Sequence, residues 1–73
     1  MANLQRQFQI LLGKKIREER EKMGVSQERL GKLAKVHRTY VGMVERGEKN
    51  ITIANMHKFA QALGLQVRDL IDF

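Results

Sequence analysis

The stretch SQERLGKLAKVHRTYVGMVERG, residues 26–47, decides the fold. Ser26 is a strong helix N-cap, because its hydroxyl accepts an otherwise unsatisfied N–H of the first turn. Glu28 suits the positive end of the helix that follows. Leu30, Leu33 and Ala34 recur at the i, i+3, i+4 spacing of an inward stripe. Gly31 costs roughly 1 kcal/mol relative to Ala in a helix, and a close helix–helix approach would account for it. Lys35 and Val36 form a turn, and His37 takes the next N-cap position. A second short helix then runs from Arg38 to Arg46, with Val41 and Val44 inward and Gly47 closing it. Its opposite stripe holds Arg38, Thr39, Gly42, Met43 and Arg46. A helix gripped along one stripe, with Arg and Thr on the other, has the shape to enter a DNA major groove.

Helical spacing continues on both sides of this pair. Upstream, Leu4 to Met23 reads as one long helix, with Phe8, Leu12, Ile16 and Met23 near one face and Leu11 beside them. Gly24 suits its C-terminal cap. Downstream, Thr52 caps a helix from Ile53 to Leu63, whose inner stripe is Ile53, Met56, Ala60 and Leu63, with Phe59 adjacent and Gly64 closing it. A last short helix spans Val67 to Ile71. The pattern predicts an all-α, compact five-helix fold with no strand alternation. One domain covers residues 1–73, with residues 1–4 expected to fray and residues 65–73 expected to form a dimerisation tail. That tail carries more apolar side chain than so short a segment buries; part of it is expected to pack inward, and Leu65, Val67, Leu70 and Phe73, with Ile51 from the loop before Thr52, are the expected dimer surface.

Seventy-three residues support a marginal core, usually worth about 3–5 kcal/mol. There is no Cys, so neither disulfides nor thiolate–metal ligation can add to it. Fourteen Lys and Arg against eight acids give a net charge of +6, which points to a polyanionic partner. No apolar run approaches the roughly 20 residues that span a bilayer, and the N-terminus lacks a signal-peptide layout. A cytoplasmic protein with no membrane partner is therefore expected.

Three stretches resemble the helix-turn-helix domain of the phage repressor and Cro family: LGKKIREER at 12–20, SQERLGKLA at 26–34, and VGMVERG at 41–47 followed by the helix ending AQALG at 60–64. Within that family, HRTYVGMVERGEKNI at 37–51 looks most like the controller proteins of restriction–modification systems. The resemblance implies a five-helix phage-repressor-like domain. It also implies a homodimeric, sequence-specific transcriptional regulator, bacterial or phage-encoded and nucleoid-associated. Its partners would be double-stranded DNA with a palindromic operator and a second copy of itself, with no small-molecule effector. It further implies an internal ion pair between Arg20 and Glu45. Two positions depart from the family pattern: His37, where Ser, Thr or Asp is usual, and Gln66, where a small hydroxyl residue is common.

On that frame, Arg38, Thr39, Met43 and His37 are the expected base-reading residues. Arg38 can bond guanine O6 and N7 bidentately, and Thr39 or Met43 can pack on a thymine methyl. Gln27, Lys35, Tyr40, Arg46, Lys49 and Asn50 are the expected backbone contacts, which fix register without reading sequence. For each, a plain solvated side chain is the competing reading. His37 and His57 lie twenty residues apart with no ligand spacing around them, so no metal or cofactor is expected. The sequence has no Gly-rich phosphate loop, and its single Ser serves as a cap, so it is not read as an enzyme. A phage repressor or Cro-like regulator and an antitoxin-type protein-binding module are the alternatives. A basic membrane-surface helix at Phe8, Leu11, Leu12, Lys14 and Lys15 is a weaker third, because acids share that helix.

Overall fold

The computed structural model describes residues 3–73. Five helices follow in order: α1 (Leu4–Met23), α2 (Gln27–Ala34), α3 (Arg38–Glu45), α4 (Ile53–Ala62) and α5 (Val67–Leu70), with no strand among the described residues. The expected frayed segment divides in two. Residues 1 and 2 lie outside the described residues, whereas Asn3 caps α1, its Oδ1 accepting from the Arg6 N–H at 3.0 Å.

The caps act as their chemistry predicts. Ser26 Oγ accepts from Arg29 N–H at 2.9 Å, and Thr52 Oγ1 from Asn55 N–H at 3.1 Å. His37 caps through its ring, with Nδ1 accepting from Thr39 N–H at 3.0 Å. Gln66 donates its backbone N–H to the Asp69 carboxylate at 2.9 Å, which fixes the start of α5.

Leu12, Ile16, Leu30, Ala34, Val41, Val44, Phe59, Ala60, Leu63 and Leu70 meet in one core. Some stripe residues fall outside it. Helix α1, with 20 residues, is about 30 Å long, and it enters the core over a short stretch of that length. Phe8, Leu11 and Met23 therefore remain partly exposed while Leu12, Gly13 and Ile16 are buried. On α2 the inner line runs through Leu30, Gly31 and Ala34, which leaves Leu33 at the surface. On α4 the fully buried Phe59 centres the packed face, and Ile53 in the first turn is 75% exposed.

The expected dimer surface is corrected in the same way. Leu70 is fully buried, because α5 is a single turn that plugs the space between α1 and α4, and Ile51, in the loop before α4, is nearly so. Leu65 and Val67 are half-buried against the same core. Of the five nominated residues, Phe73 is the exposed one, its ring meeting Phe8 edge-on at 5.5 Å between centroids. Its neighbour Ile71 is exposed as well.

The turn between α2 and α3 is tight. A Cβ on Gly31 would stand 2.7 Å from the Val36 carbonyl oxygen, so the crowding at this glycine comes from the backbone of the turn itself and not from the helix–helix approach expected. Lys35 takes the left-handed conformation there, at φ 60°. An L side chain in that region costs roughly 1–2 kcal/mol. Lys35→Gly is therefore expected to stabilise the protein by about 1 kcal/mol, seen as a Tm rise of about 4–8 °C. The same variant should bind every duplex more weakly if Lys35 holds a phosphate. A Tm at or below that of the parent would show that the turn is not strained.

Candidate nucleic-acid interface

Val41 is fully buried and Val44 nearly so, which fixes the rotation of α3. Arg38 and Thr39 then face solvent. Met43 is half-buried, one turn further along the same side. The helix sits against α1 at Gly13 and against α2 through the short turn, so its outer face is held from two directions.

Arg20 ties this arrangement together. Its Nε donates to Glu45 Oε2 at 2.7 Å and its Nη2 to Glu45 Oε1 at 3.1 Å, a bidentate pair across α1 and α3. Its Nη1 also donates to the Val25 carbonyl at 2.9 Å, which clamps the entry to α2. The Glu45 side chain is only 2% exposed. The hydrogen bond to Glu45 holds the Arg20 guanidinium even more firmly protonated than usual. Gln27 Nε2 donates to the same carboxylate at 3.1 Å, so the first side chain of α2 is anchored rather than loose.

Around this buried pair lies an open depression lined by Arg20, Ser26, Gln27, Glu28, Arg38, Thr39, Gly42 and Arg46. Its floor is made by Gly42, where a Cβ would stand 3.1 Å from Arg46 Nη1 and 3.5 Å from Gln27 Oε1. Gly42, on the stripe read as outward, is buried beneath those side chains. The helix N-terminus of α2, the Gln27 amide and the Arg46 guanidinium thus converge on one side of α3. That is a suitable geometry for an anionic backbone.

Apart from the half-buried Met43, the nominated residues fall into three groups. Arg38, Thr39, Gln27 and Arg46 line the depression, and His37 lines a second hollow that shares Glu28 and Arg38 with it. Lys35, Lys49 and Asn50 are exposed in the turns at either end of α3. Tyr40 differs: its ring stacks on Phe59 at 6.2 Å between centroids, and its hydroxyl accepts from Asn55 Nδ2 at 3.1 Å. It joins α3 to α4 and is half-buried.

Two carboxylates were missed by sequence reading. Glu28 Oε2 accepts from Arg38 Nη1 at 2.9 Å, and Glu48 accepts twice from Arg46, at 2.9 and 3.2 Å. The hydrogen bond from Arg46 holds the Glu48 carboxyl below the usual carboxylate range, so it stays charged near neutral pH. Arg6 and Gln9 were missed as well. Both donate to the Gly47 carbonyl at 3.0 Å and so pin the end of α3 to the first turns of α1.

A gripped recognition helix behind a capped first helix defines a helix-turn-helix protein. The chain belongs to the helix-turn-helix family, whose model matches residues 16–70. Its relatives include control proteins. It is 42% identical over 67 residues to the control protein C.BamHI of Bacillus amyloliquefaciens, covering 90% of this chain and 83% of that one. The crystal structure of the restriction–modification controller C.AhdI from Aeromonas hydrophila is similar, with a TM-score of 0.83 and 42% identity over 85% of this chain and 94% of that one. The P22 c2 repressor, solved in complex with a synthetic operator, matches at TM-score 0.78 and 30% identity, over 84% and 92% of the two chains. The resemblance drawn from the three sequence stretches is thereby borne out.

Proposed function

We propose that this protein is a restriction–modification controller: a homodimeric transcriptional regulator that binds a palindromic operator in duplex DNA. The observation that carries this is the rotation of α3, with Val41 and Val44 buried and Arg38 and Thr39 outward. Arg38, Thr39, Met43 and His37 then read base edges. Gln27, Lys35, Arg46, Lys49 and Asn50 hold the sugar–phosphate backbone, with the Tyr40 hydroxyl at the margin. The exposed Ile71 and Phe73, with the uncovered flanks of Leu65 and Val67, are the apolar surface available for dimerisation. A two-fold dimer sets half-sites roughly 34–36 Å apart. The expected setting is the bacterial cytoplasm, on the nucleoid. The higher identity to C.BamHI and C.AhdI than to the P22 repressor favours a controller over a phage regulator. A neighbouring methyltransferase and endonuclease gene pair would agree with that choice, and lysis or integration genes would oppose it.

Salt dependence tests the mechanism. Lys35, Arg46 and Lys49 supply three cations per protomer and six per dimer. At about 0.9 counterions per neutralised phosphate, log K should fall against log salt with a slope near −5. Between 50 and 200 mM salt, affinity for a duplex selected by the protein should therefore drop about a thousandfold. An affinity that hardly changes across that range would contradict phosphate clamping.

A further inference from the structure

The face that presents Arg38 carries a carboxylate where a polyanion has to dock. Glu28 is the second residue of α2 and its side chain is 53% exposed. Its Oε2 holds Arg38 Nη1 at 2.9 Å, and its Oε1 lies 3.7 Å from Lys32 Nζ. A first-turn acid complements the α2 dipole wherever it points. This one reaches across the turn to the residue that opens α3. So exposed a pair adds little to folding, which leaves the stability of the domain as a poor reason for it.

The pair treats two kinds of DNA contact differently. A phosphate oxygen recruits Arg38 only by breaking its bond to Glu28 and by bringing a second negative charge beside that carboxylate. A guanine edge breaks the same bond, but O6 and N7 are neutral acceptors and return two hydrogen bonds to the guanidinium. The carboxylate therefore opposes backbone-only binding more than base readout. We infer that Glu28 is a specificity-determining residue, which suppresses non-specific binding by holding Arg38 away from phosphate. This rests on the reading of α3 as the base-reading helix.

The test measures binding of the full chain by fluorescence anisotropy. One duplex is selected from a random pool by the unmodified protein; the other is its scrambled counterpart. Glu28→Gln should tighten binding to the scrambled duplex about three- to tenfold and to the selected duplex less than about twofold, so that preference falls. Glu28→Asp keeps the charge and the dipole interaction but withdraws the carboxylate from Arg38, and should erode preference in the same direction. Glu18→Gln removes an equal charge from the far side of α1, beside Leu11 and Phe73, and should move both duplexes alike. Thermal melting of each variant checks that it is folded. Intact preference in the unmodified protein, left unchanged by Glu28→Gln and Glu28→Asp, would overturn the inference alone. A pool from which the unmodified protein enriches no duplex would overturn both the inference and the reading beneath it.

Discussion

Replacing Arg20 with Met is expected to cancel nearly all the stability of the protein and leave about half of it unfolded at 25 °C. The substitution strips the Glu45 carboxylate of both guanidinium hydrogen bonds and leaves a charge on a side chain that is 2% exposed. Removing one partner of a buried pair costs about 3–5 kcal/mol. A domain of this size has about that much stability in total. DNA binding would fall with the fold, although the side chain's main partners are Glu45 and the Val25 carbonyl. The pairing account adds a rescue: Arg20→Met combined with Glu45→Leu removes both charges together and should recover most of the loss. Urea denaturation followed by circular dichroism measures each variant. A single-variant loss under about 1 kcal/mol would mean that the pair behaves as a solvated surface bridge.

Gly13→Ala is the second large effect expected. A Cβ there would overlap the Val44 carbonyl oxygen and stand 2.9 Å from that of Glu45. Both obstacles are backbone, so neither can rotate aside, and α1 and α3 must separate. Overpacking of this kind costs about 1–3 kcal/mol and sometimes more. The gain of about 1 kcal/mol in helix propensity does not offset it, because separation also stretches the Arg20–Glu45 pair. Gly42→Ala makes the contrast. Its new methyl group meets the flexible ends of Arg46 and Gln27, which can move away. The denaturation midpoint should therefore fall sharply for Gly13→Ala and little for Gly42→Ala. Equal midpoints would show that the α1–α3 crossing is looser than the structure has it.

Much of this fold is legible in local chemistry. Ser26, Thr52 and Gly24 mark helix ends by what their own side chains or backbones can do, and each caps where the sequence places it. Val41 and Val44, three residues apart, suffice to orient α3. Gly31 announces a close contact because nothing else explains a glycine there. The rest depends on how helices cross. Phe8, Leu11 and Met23 sit on or beside an apolar stripe, but the core meets α1 at Leu12, Gly13 and Ile16, and the three stay partly exposed around it. Leu70 looks like spare surface until α5 is seen to fill a gap between α1 and α4. Glu28 and Arg38 are ten residues apart on different helices, and only the sharpness of the turn brings them to 2.9 Å. Gln9 and the Gly47 carbonyl, 38 residues apart in the chain, meet at 3.0 Å because α3 packs back on α1.

The central claim is that the outer face of α3 reads sequence, and Arg38 tests it most directly. Duplexes selected from a random pool by the unmodified protein and by Arg38→Ala are sequenced and compared. The account predicts a two-fold symmetric consensus for the first. For the second it predicts the same consensus with one base pair per half-site relaxed, a loss of about 1–3 kcal/mol of discrimination there. An identical consensus from both proteins, at equal stringency, would contradict it.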